Sequence, residues 1–586
     1  MSTSKTGEIV DYQLLKRILR FSIPYRSKMW LTATFAILLA FLAPLRPILI
    51  NYALDNFVLI PNLELLFQIT ILMIIILAIE AIVQFYYIYY AACIGQYVIQ
   101  DLRGKIYKHI VSLKLSFFNK TPIGTVVTRT ISDIETIAAI FSEGLLIIIA
   151  ELLKIVVILT VMIYTDFKLT IVSLSSIPIL LIATSWFKRS IKSAFQQIRT
   201  QVSIMNAFIQ EHIVGMNIVQ IFVREKAEYQ KFKKINKAHQ DAHIQSILYY
   251  SIFFPVVEIL SATSIGLIIW WGGSAILSGQ DITFGELVAF ILYIHMLFRP
   301  IRQLADRFNI LQMGIVGSER VFRILDTDKK IKDNSDIILK KIKGDITFNN
   351  VFFAYNKEQW VLKGINFYIE AGKTLALVGE TGAGKTSVTN VLNRFYDIQK
   401  GSINIDDYSI QEVKLSSLRE QIAFVQQEVF LFSDSIFNNI TLYDEHISIK
   451  KVKEAAKNIG IHSFIKSLPG GYNYSVGERG VTLSTGQRQL IAFLRVYVRN
   501  PKILILDEAT SSIDTETEQL LQNALKKLVK NRTLIIIAHR LSTIRNADKI
   551  LLFKDGKIAE QGSHNDLMSQ KGIYQNMYRT QQSLEN

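Results

Sequence analysis

The 586-residue sequence predicts two parts in series: an α-helical six-span membrane domain with long cytoplasmic helical extensions, then a soluble α/β domain of the P-loop type. Three observations predict it. Only 19% of the residues are charged, below the soluble norm of about 25%. The apolar surplus sits in the first 300 residues as runs such as "LTATFAILLAFLAPLRPILI" (31–50) and "LLFQITILMIIILAIEAIVQF" (65–85), each matching the roughly 20 residues that cross a bilayer. After residue 344 the composition turns soluble, and an apolar stretch, "KTLALVG" (373–379), runs straight into "GETGAGKT" (379–386).

Six spans are expected, near 29–51, 65–90, 138–163, 169–187, 248–276 and 284–303. Their connections set the orientation. "NYALDNFVLIPNLE" and "ILSGQDITFG" hold no Lys or Arg, and the tight turn "YTDFK" holds only Lys168, so these turns face outward. Basic residues crowd the other side, at 16–28, 103–120, 188–199, 224–237 and 302–330, which puts both termini in the cytoplasm of a multi-pass protein of the inner (plasma) membrane. The same residues account for the net charge of +16: before residue 331 there are 32 basic and 22 acidic residues, so about +10 flanks the spans. No basic and aromatic groove is visible, and no nucleic-acid partner is expected. Cys93 is alone, which excludes an intramolecular disulfide. The first span begins well inside the chain and has no small-residue cleavage site, so no removable signal peptide is expected. "DYQLLKRILRFSIPYRSK" (11–28) reads as an amphipathic helix on the inner surface.

The inner connections, about 93–137 and 188–247, are too long and regular for loops, each with one interruption, "TPIG" (121–124) and Gly215. The spans are therefore expected to continue into the cytoplasm, turn and return. Arms of roughly 20 residues would reach about 30 Å at 1.5 Å per residue. They are either solvated hairpins or levers against a second domain.

That second domain follows a polar linker, 326–344, and occupies 345–586 after a membrane domain of 1–325. "GETGAGKT" satisfies the phosphate-loop pattern in its strand, loop, helix setting. Gly379, Gly382 and Gly384, with Glu380, Thr381 and Ala383 between them, let backbone N–H groups converge on phosphate oxygens; Lys385 reaches the β and γ phosphates, and Thr386, followed by Ser387, offers a hydroxyl to Mg²⁺. ATP and Mg²⁺ are the expected cofactors. A second strand, "KILILDEAT" (502–510), ends in Asp507, placed for the Mg²⁺ shell, and Glu508, placed to polarise an attacking water. A third, "TLIIIAH" (533–539), delivers His539 to the carboxyl edge of the sheet.

In order, Tyr355, "GETGAGKT", "VQQE", "VGERG", "LSTGQRQ", "ILILDEA", "SSID" and His539 resemble the nucleotide-binding cassette of ATP-binding cassette (ABC) transporters. The half ahead of it resembles a bacterial ABC exporter, with "LSFFNKTPIGTVVTRTISDIETI" (115–137) similar to that family's first inner loop. The resemblance implies a dimer of half-transporters, most simply a homodimer, in which ATP is clamped between the phosphate loop of one cassette and the signature loop of the other. Leu483, Ser484, Thr485, Gly486 and Gln487 would then serve the neighbour's site, with Ser484 and Gly486 at the γ phosphate and the following helix turning its positive end to that charge. By the same resemblance Tyr355 stacks on adenine, Gln427 contacts Mg²⁺ and the attacking water, Asp514 couples the two sites, and Glu508 and His539 are catalytic. Two positions depart from the pattern: Gln426 replaces the usual proline before Gln427, and Thr485 takes the third, usually glycine, place of the signature.

The expected function is ATP-driven export by alternating access, with "FFNKTPIG" (117–124) and "EHIVGMNIVQIF" (211–222) transmitting cassette closure. Amphipathic, lipid-like or drug-like cargo is expected mainly from the resemblance, with membrane lipid as a further partner. Glu80, Glu151, Lys154 and Glu258 lie within the spans and either line a cavity or pair structurally. Half of a heterodimer, or an ATP-gated regulatory or channel-like protein, are the alternatives.

Overall fold

A computed structural model describes residues 12–585 except 60, 280–281, 329–330, 332, 334, 340, 357–358, 508–514 and 538–543. The chain divides into two compact units, Met1–Val111 with Ile123–Thr327, and Ser112–Pro122 with Asp328–Asn586.

The first unit is helical: α1 (Tyr12–Arg20), α2 (Arg26–Leu42), α3 (Leu45–Ala53) and α4 (Leu63–Val111) precede the excursion that carries α5 (Leu115–Lys120) in the second unit. It resumes with α6 (Ile123–Thr130), α7 (Ser132–Ala139), α8 (Leu145–Thr165), α9 (Phe167–Leu174), α10 (Ile177–Val214), α11 (Met216–Ile221), α12 (Glu225–Leu277) and α13 (Phe284–Leu325). Among the described residues five helical stretches are long and apolar enough to cross a membrane: Ile23–Val58, Leu63–Val111, Ile123–Thr165, Phe167–Val214 and Glu225–Leu277. The segment expected as the sixth span, 284–303, forms the first part of α13.

Helix length explains the arms. At 1.5 Å per residue, the 49 residues of α4 and the 53 of α12 run about 73 and 80 Å, more than twice a hydrocarbon core of about 30 Å. Two expected spans are broken where proline removes a helical donor. The first splits into α2 and α3 at Ala43–Pro44, and the fourth into α9 and α10 just ahead of Pro178. The turn "YTDFK" works because Asp166, in extended backbone, accepts from the Leu169 N–H at 2.5 Å and starts α9 as its cap.

Polar clasps and close approaches hold this unit together, since apolar side chains alone give little preference between lipid and protein. Ser176 and Ser264 share a buried hydrogen bond of 2.5 Å between the start of α10 and α12. Phe187 stacks on Phe253 at 4.1 Å. Asp55 accepts from the Thr283 hydroxyl at 2.6 Å and the Gly285 N–H at 2.8 Å, tying the end of α3 to the start of α13. Gly285 is required there, because a Cβ would sit 2.5 Å from the Asn51 carbonyl oxygen. On α1, Ile18 is buried while Arg17 makes a two-pronged pair with Asp326 at 2.6 and 2.7 Å over the Phe322 ring, so the expected amphipathic helix is docked on the end of α13.

The four intramembrane ionisable groups behave differently from one another. Glu80 pairs with Arg46 at 2.8 Å, a structural neutralisation. No ion pair among the described residues joins Glu151 to Lys154. Glu258 is engaged in an interaction of its own.

The second unit holds two sheets. Antiparallel strands β1 (Ile346–Phe353), β2 (Leu362–Ile369), β4 (Lys400–Ile405) and β5 (Tyr408–Ser409) form one, in the order β2-β1-β4-β5. The other runs β10-β9-β3-β8-β7-β6, from β3 (Thr374–Gly379), β6 (Ile422–Val425), β7 (Ile503–Asp507), β8 (Thr533–Ile537), β9 (Lys549–Lys554) and β10 (Lys557–Gly562), with only the β10 pairing antiparallel. Its central strands are buried on both faces, as continuous apolar runs such as "ILIL" and "TLIII" require. Alternate residues feed different cores: Leu375, Ile503, Ile505 and Ile535 pack with helix α14 (Lys385–Leu392) and the antiparallel sheet, while Ala376, Leu504, Leu506 and Ile536 pack with the helices around 449–499.

Gly285→Ala is expected to destabilise the membrane unit by about 1–3 kcal/mol through overpacking. Gly266→Ala, in α12 with nothing within 4 Å of a new Cβ, is expected to be neutral or stabilising. Thermal unfolding of both variants in detergent checks the contrast.

Candidate functional site

The sheet register brings four expected chain segments to one edge. Asp507 pairs with Ile537, Val425 pairs with Leu506, and Leu377 pairs with Ile537. The carboxyl ends of β3, β6, β7 and β8 therefore open together, and the next residues are the phosphate loop, Gln426 and Gln427, Glu508, and the approach to His539. Glu508, Asp514 and His539 themselves lie outside the described residues.

The phosphate loop has the backbone it needs. Gly379 has φ 141° and passes so close to β9 that a Cβ would lie 2.3 Å from the Phe553 carbonyl oxygen. Gly384, with φ 108°, is the left-handed N-cap of α14, so the first N–H groups of that helix face the loop. Lys385 is buried and its ammonium donates to the carbonyls of Gly379 at 2.5 Å and Glu380 at 2.9 Å. Burial holds its pKa below the ordinary lysine range, opposed by the charge of Asp507, which marks the two as neighbours in one electrostatic site.

Tyr355 stands beside this helix. Its hydroxyl exchanges a hydrogen bond with Ser387 at 3.1 Å and accepts one from Asn390 at 3.1 Å, while its ring, 40% exposed, meets Tyr396 edge-on at 5.0 Å. The same corner receives α5. Asn119 donates to the Tyr396 hydroxyl at 2.7 Å, Lys120 to Asn356 at 3.1 Å, and Lys114 pairs with Asp397 at 2.8 Å. The expected inner-loop segment 117–124 thus touches, through Tyr396 and Asn356, the aromatic expected to carry the base.

The signature loop sits elsewhere. Ser484 caps the helix Thr485–Arg499 in a reciprocal box: its hydroxyl accepts from the Gln487 N–H at 3.2 Å, and Gln487 accepts from the Ser484 N–H at 3.0 Å. Leu483 and Gly486 are buried; Ser484 and Thr485 are exposed. The helix packs through Leu490, Ile491 and Leu494 on the face of the sheet opposite to α14. The helices that follow the phosphate loop and the signature loop therefore pack on opposite faces of the same sheet.

Arg488, which sequence reading passed over, accounts for the unusual Thr485. Its guanidinium donates to the carbonyls of Leu483 at 2.9 Å and Gly480 at 3.3 Å and to the Thr485 hydroxyl at 3.1 Å, so the threonine side chain is turned back onto its own helix. It also ties the signature to "VGERG". Asn439 and Arg495 were equally unsignalled. Asn439 is buried and brackets the stretch after Gln427 by accepting from the Phe432 N–H at 2.8 Å and donating to the Phe432 carbonyl at 2.9 Å. Arg495, its pKa pushed down to about 10 by burial and by Arg499, donates to the Asn439 carbonyl at 2.8 Å. Gln426 and Gln427 are exposed beyond β6.

Comparison with known proteins agrees with this geometry. Residues 29–301 match the ABC transporter transmembrane region, and residues 362–511 match the ABC transporter family. The chain is 36% identical over 570 residues to YknV of Bacillus subtilis, named an uncharacterized ABC transporter ATP-binding protein, covering 97% of this chain and 94% of that one. It is 34% identical over 569 residues to the ATP-dependent lipid A-core flippase of Syntrophus aciditrophicus, again covering 97% and 94%. YgaD of Bacillus subtilis, whose name proposes multidrug export, is 33% identical over 577 residues, covering 97% and 99%.

The chain belongs to the ABC transporters.

It is an ABC exporter half-transporter, a membrane-embedded helical domain followed by an ATP-binding cassette, and an ATPase whose hydrolysis is coupled to transport. A half-transporter works with a second half. Within it, Arg488 is the residue whose removal should be felt at the signature. Arg488→Ala removes its bonds to the Gly480 and Leu483 carbonyls, of which Gly480 still accepts from the Leu483 N–H at 3.0 Å, and is expected to cost about 1–3 kcal/mol of cassette stability. Thr485→Gly keeps both of those bonds and is expected to cost under about 1 kcal/mol. Denaturant unfolding of the two variants tests the ordering.

Proposed function

We propose that this chain pairs with a second copy of itself, binds two ATP molecules at composite sites, and exports an amphipathic, lipid-like or drug-like substrate across the inner membrane by alternating access. The observation that carries the proposal is the separation of the two loops. The helices that follow the phosphate loop and the signature pack on opposite faces of one sheet, which supports a reading in which neither loop completes the other within a chain. A second cassette in head-to-tail arrangement supplies each with its counterpart. In that arrangement Gly379 to Ser387 cradle the phosphates, Thr386, Gln427 and Asp507 hold Mg²⁺, and Tyr355 stacks on the base. Leu483 to Gln487 close the neighbour's site, and Asp514 couples the two sites. Glu508 polarises the water for in-line attack, and His539 steadies the leaving charge.

The membrane half, 1–325 with six spans and a cytoplasmic cassette, is driven through α5 and the segment 211–222. Closure of the cassettes on ATP turns an inward-open cavity outward, and hydrolysis resets it. The relatives named for lipid A-core and multidrug export support the cargo class. The contacts of Asn119 and Lys120 next to Tyr355 support α5 as the transmitting element.

The test is to express this chain alone, reconstitute it in lipid and measure Mg²⁺-dependent ATP hydrolysis beside Glu508→Gln. Turnover in the wild type with at least a hundredfold loss in the variant is expected, since general-base catalysis supplies about 10²–10⁴-fold. A wild type that binds ATP but does not turn over would overturn the homodimer in favour of a missing second chain.

A further inference from the structure

The membrane unit contains a cavity of about 890 Å³. It lies between α10 on one side and α7 and α13 on the other, and it is lined by none of Glu80, Glu151, Lys154 or Glu258. Its size falls in the range of about 300–1,000 Å³ typical of small-molecule sites.

The lining is ordered along α10. Lys188, Lys192, Gln196, Arg199 and Ser203 follow one another at steps of four, four, three and four residues, which is a single polar stripe on a helix. Phe187, Ile191 and Phe195 form the apolar stripe beside it. Tyr250 adds to the apolar side near Phe187, its ring 5.2 Å away, and Leu311, Met313 and Val316 do so from α13. From 187 to 195 the two stripes run side by side for about 12 Å, and the polar one continues to Ser203. The upper end adjoins the expected inner end of span four, at the depth where lipid headgroups lie.

Charge decides which ligand fits. Four cations line the cavity, Lys188, Lys192, Arg199 and Arg320, against one acid, Asp133. Asp133 pairs with Arg320 at 3.6 Å, and no ion pair among the described residues involves Lys192 or Arg199. The wall therefore carries a positive excess beside an apolar stripe. Asp133 adds a second constraint: it is 7% exposed and its Oδ2 has no hydrogen-bond partner, so a buried acceptor faces a need for a donor. A phosphate monoester meets the first demand, and its singly protonated form, which carries an O–H, meets the second as well.

We infer that this cavity binds an anionic amphiphile, with a phosphate-monoester-like headgroup held by Lys192 and Arg199 and its apolar part along Phe187, Ile191 and Phe195. The inference rests on the exporter reading and narrows its cargo to acidic amphiphiles, taken from the inner leaflet. Cationic amphiphiles are excluded by the same charges that hold the anion.

The full chain in phosphatidylcholine nanodiscs is titrated with dodecyl phosphate, dodecyltrimethylammonium and inorganic phosphate, with bound ligand counted by native mass spectrometry and ATP hydrolysis followed in parallel. Dodecyl phosphate is expected to bind at least about tenfold more tightly than either of the others, since charge-assisted hydrogen bonds are worth about an order of magnitude in affinity. Lys192→Gln/Arg199→Gln is expected to erase that preference, and Lys192→Arg/Arg199→Lys to keep it. Equal binding of the anionic and cationic chains, or a preference untouched by the glutamine variant, overturns the proposal. Inorganic phosphate bound as tightly as dodecyl phosphate overturns it too, because the apolar stripe would then contribute nothing. Wild-type protein without hydrolysis that still discriminates among the three probes would sink the exporter reading and leave the binding site standing.

Discussion

The cassette depends on one parallel sheet that is packed on both faces. Side chains alternate strictly along β3, β7, β8 and β9, so that each strand gives one set of apolar groups to the core under α14 and the other set to the core under the helix Thr485–Arg499. Burying a branched apolar side chain contributes roughly 1.5–3 kcal/mol. A one-residue slip in any central strand would exchange the two sets and lose many such contributions at once. That rigidity is what keeps the strand ends, where the phosphate loop, Gln427 and Asp507 emerge, in fixed relation. It also forces the two glycine-containing loops apart, and the separation turns a single polypeptide into half of an ATPase.

The membrane unit is held by a different logic. Its helices present large apolar groups outward, Phe67, Phe85 and Trp270 among them, which suits lipid and supplies no net drive to associate. Specific pairing comes from a few small or polar contacts: Ser176 with Ser264, Asp55 with Thr283 and Gly285, Arg46 with Glu80, and the close passage of α13 over α7 at Gly314 and Gly317. Few contacts of this kind suit the alternating access proposed above. Long helices suit it as well, because a helix that runs unbroken beyond the bilayer would carry a rotation at one end to the other.

Much of this was legible in the sequence, and the reason is physical. Apolar runs of bilayer length, strand-like runs ending in Asp507 or a glycine loop, and Lys and Arg confined to alternate connections are all local signals. The breaks at Pro44 and Pro178 were local too, but proline inside a membrane segment is often accommodated without a break. What stayed hidden depends on contacts distant in sequence. Arg488 could not be linked to the threonine in the signature until the backbone around Gly480 and Leu483 was fixed. Asn439 looks like any loop asparagine until the chain after Gln427 folds over it. Glu80 stayed open between cavity lining and pairing because its partner, Arg46, lies 34 positions away on another helix. The cationic stripe on α10 read only as part of the positive-inside signal, since nothing local shows that α7 and α13 face it.

The same distinction between strong and weak contacts bears on the role proposed for α5 in transmitting motion. Its bonds to the cassette, Lys114 with Asp397, Asn119 with Tyr396 and Lys120 with Asn356, are largely exposed, and such an ion pair is worth about 0–1 kcal/mol. They are too weak to serve as glue against the forces of a conformational cycle. Their value lies in placement: two contacts on a six-residue helix and one from its N-cap fix its orientation against the corner formed by Tyr355 and Tyr396. In the proposed cycle a base stacking on Tyr355 stiffens that corner. The short links on either side of α5, 112–114 and 121–122, leave little slack before the displacement reaches α4 and α6. Weak bonds with a short tether thus couple better than strong bonds with a long one, because the tether conveys the displacement and the bonds only have to keep the helix in register.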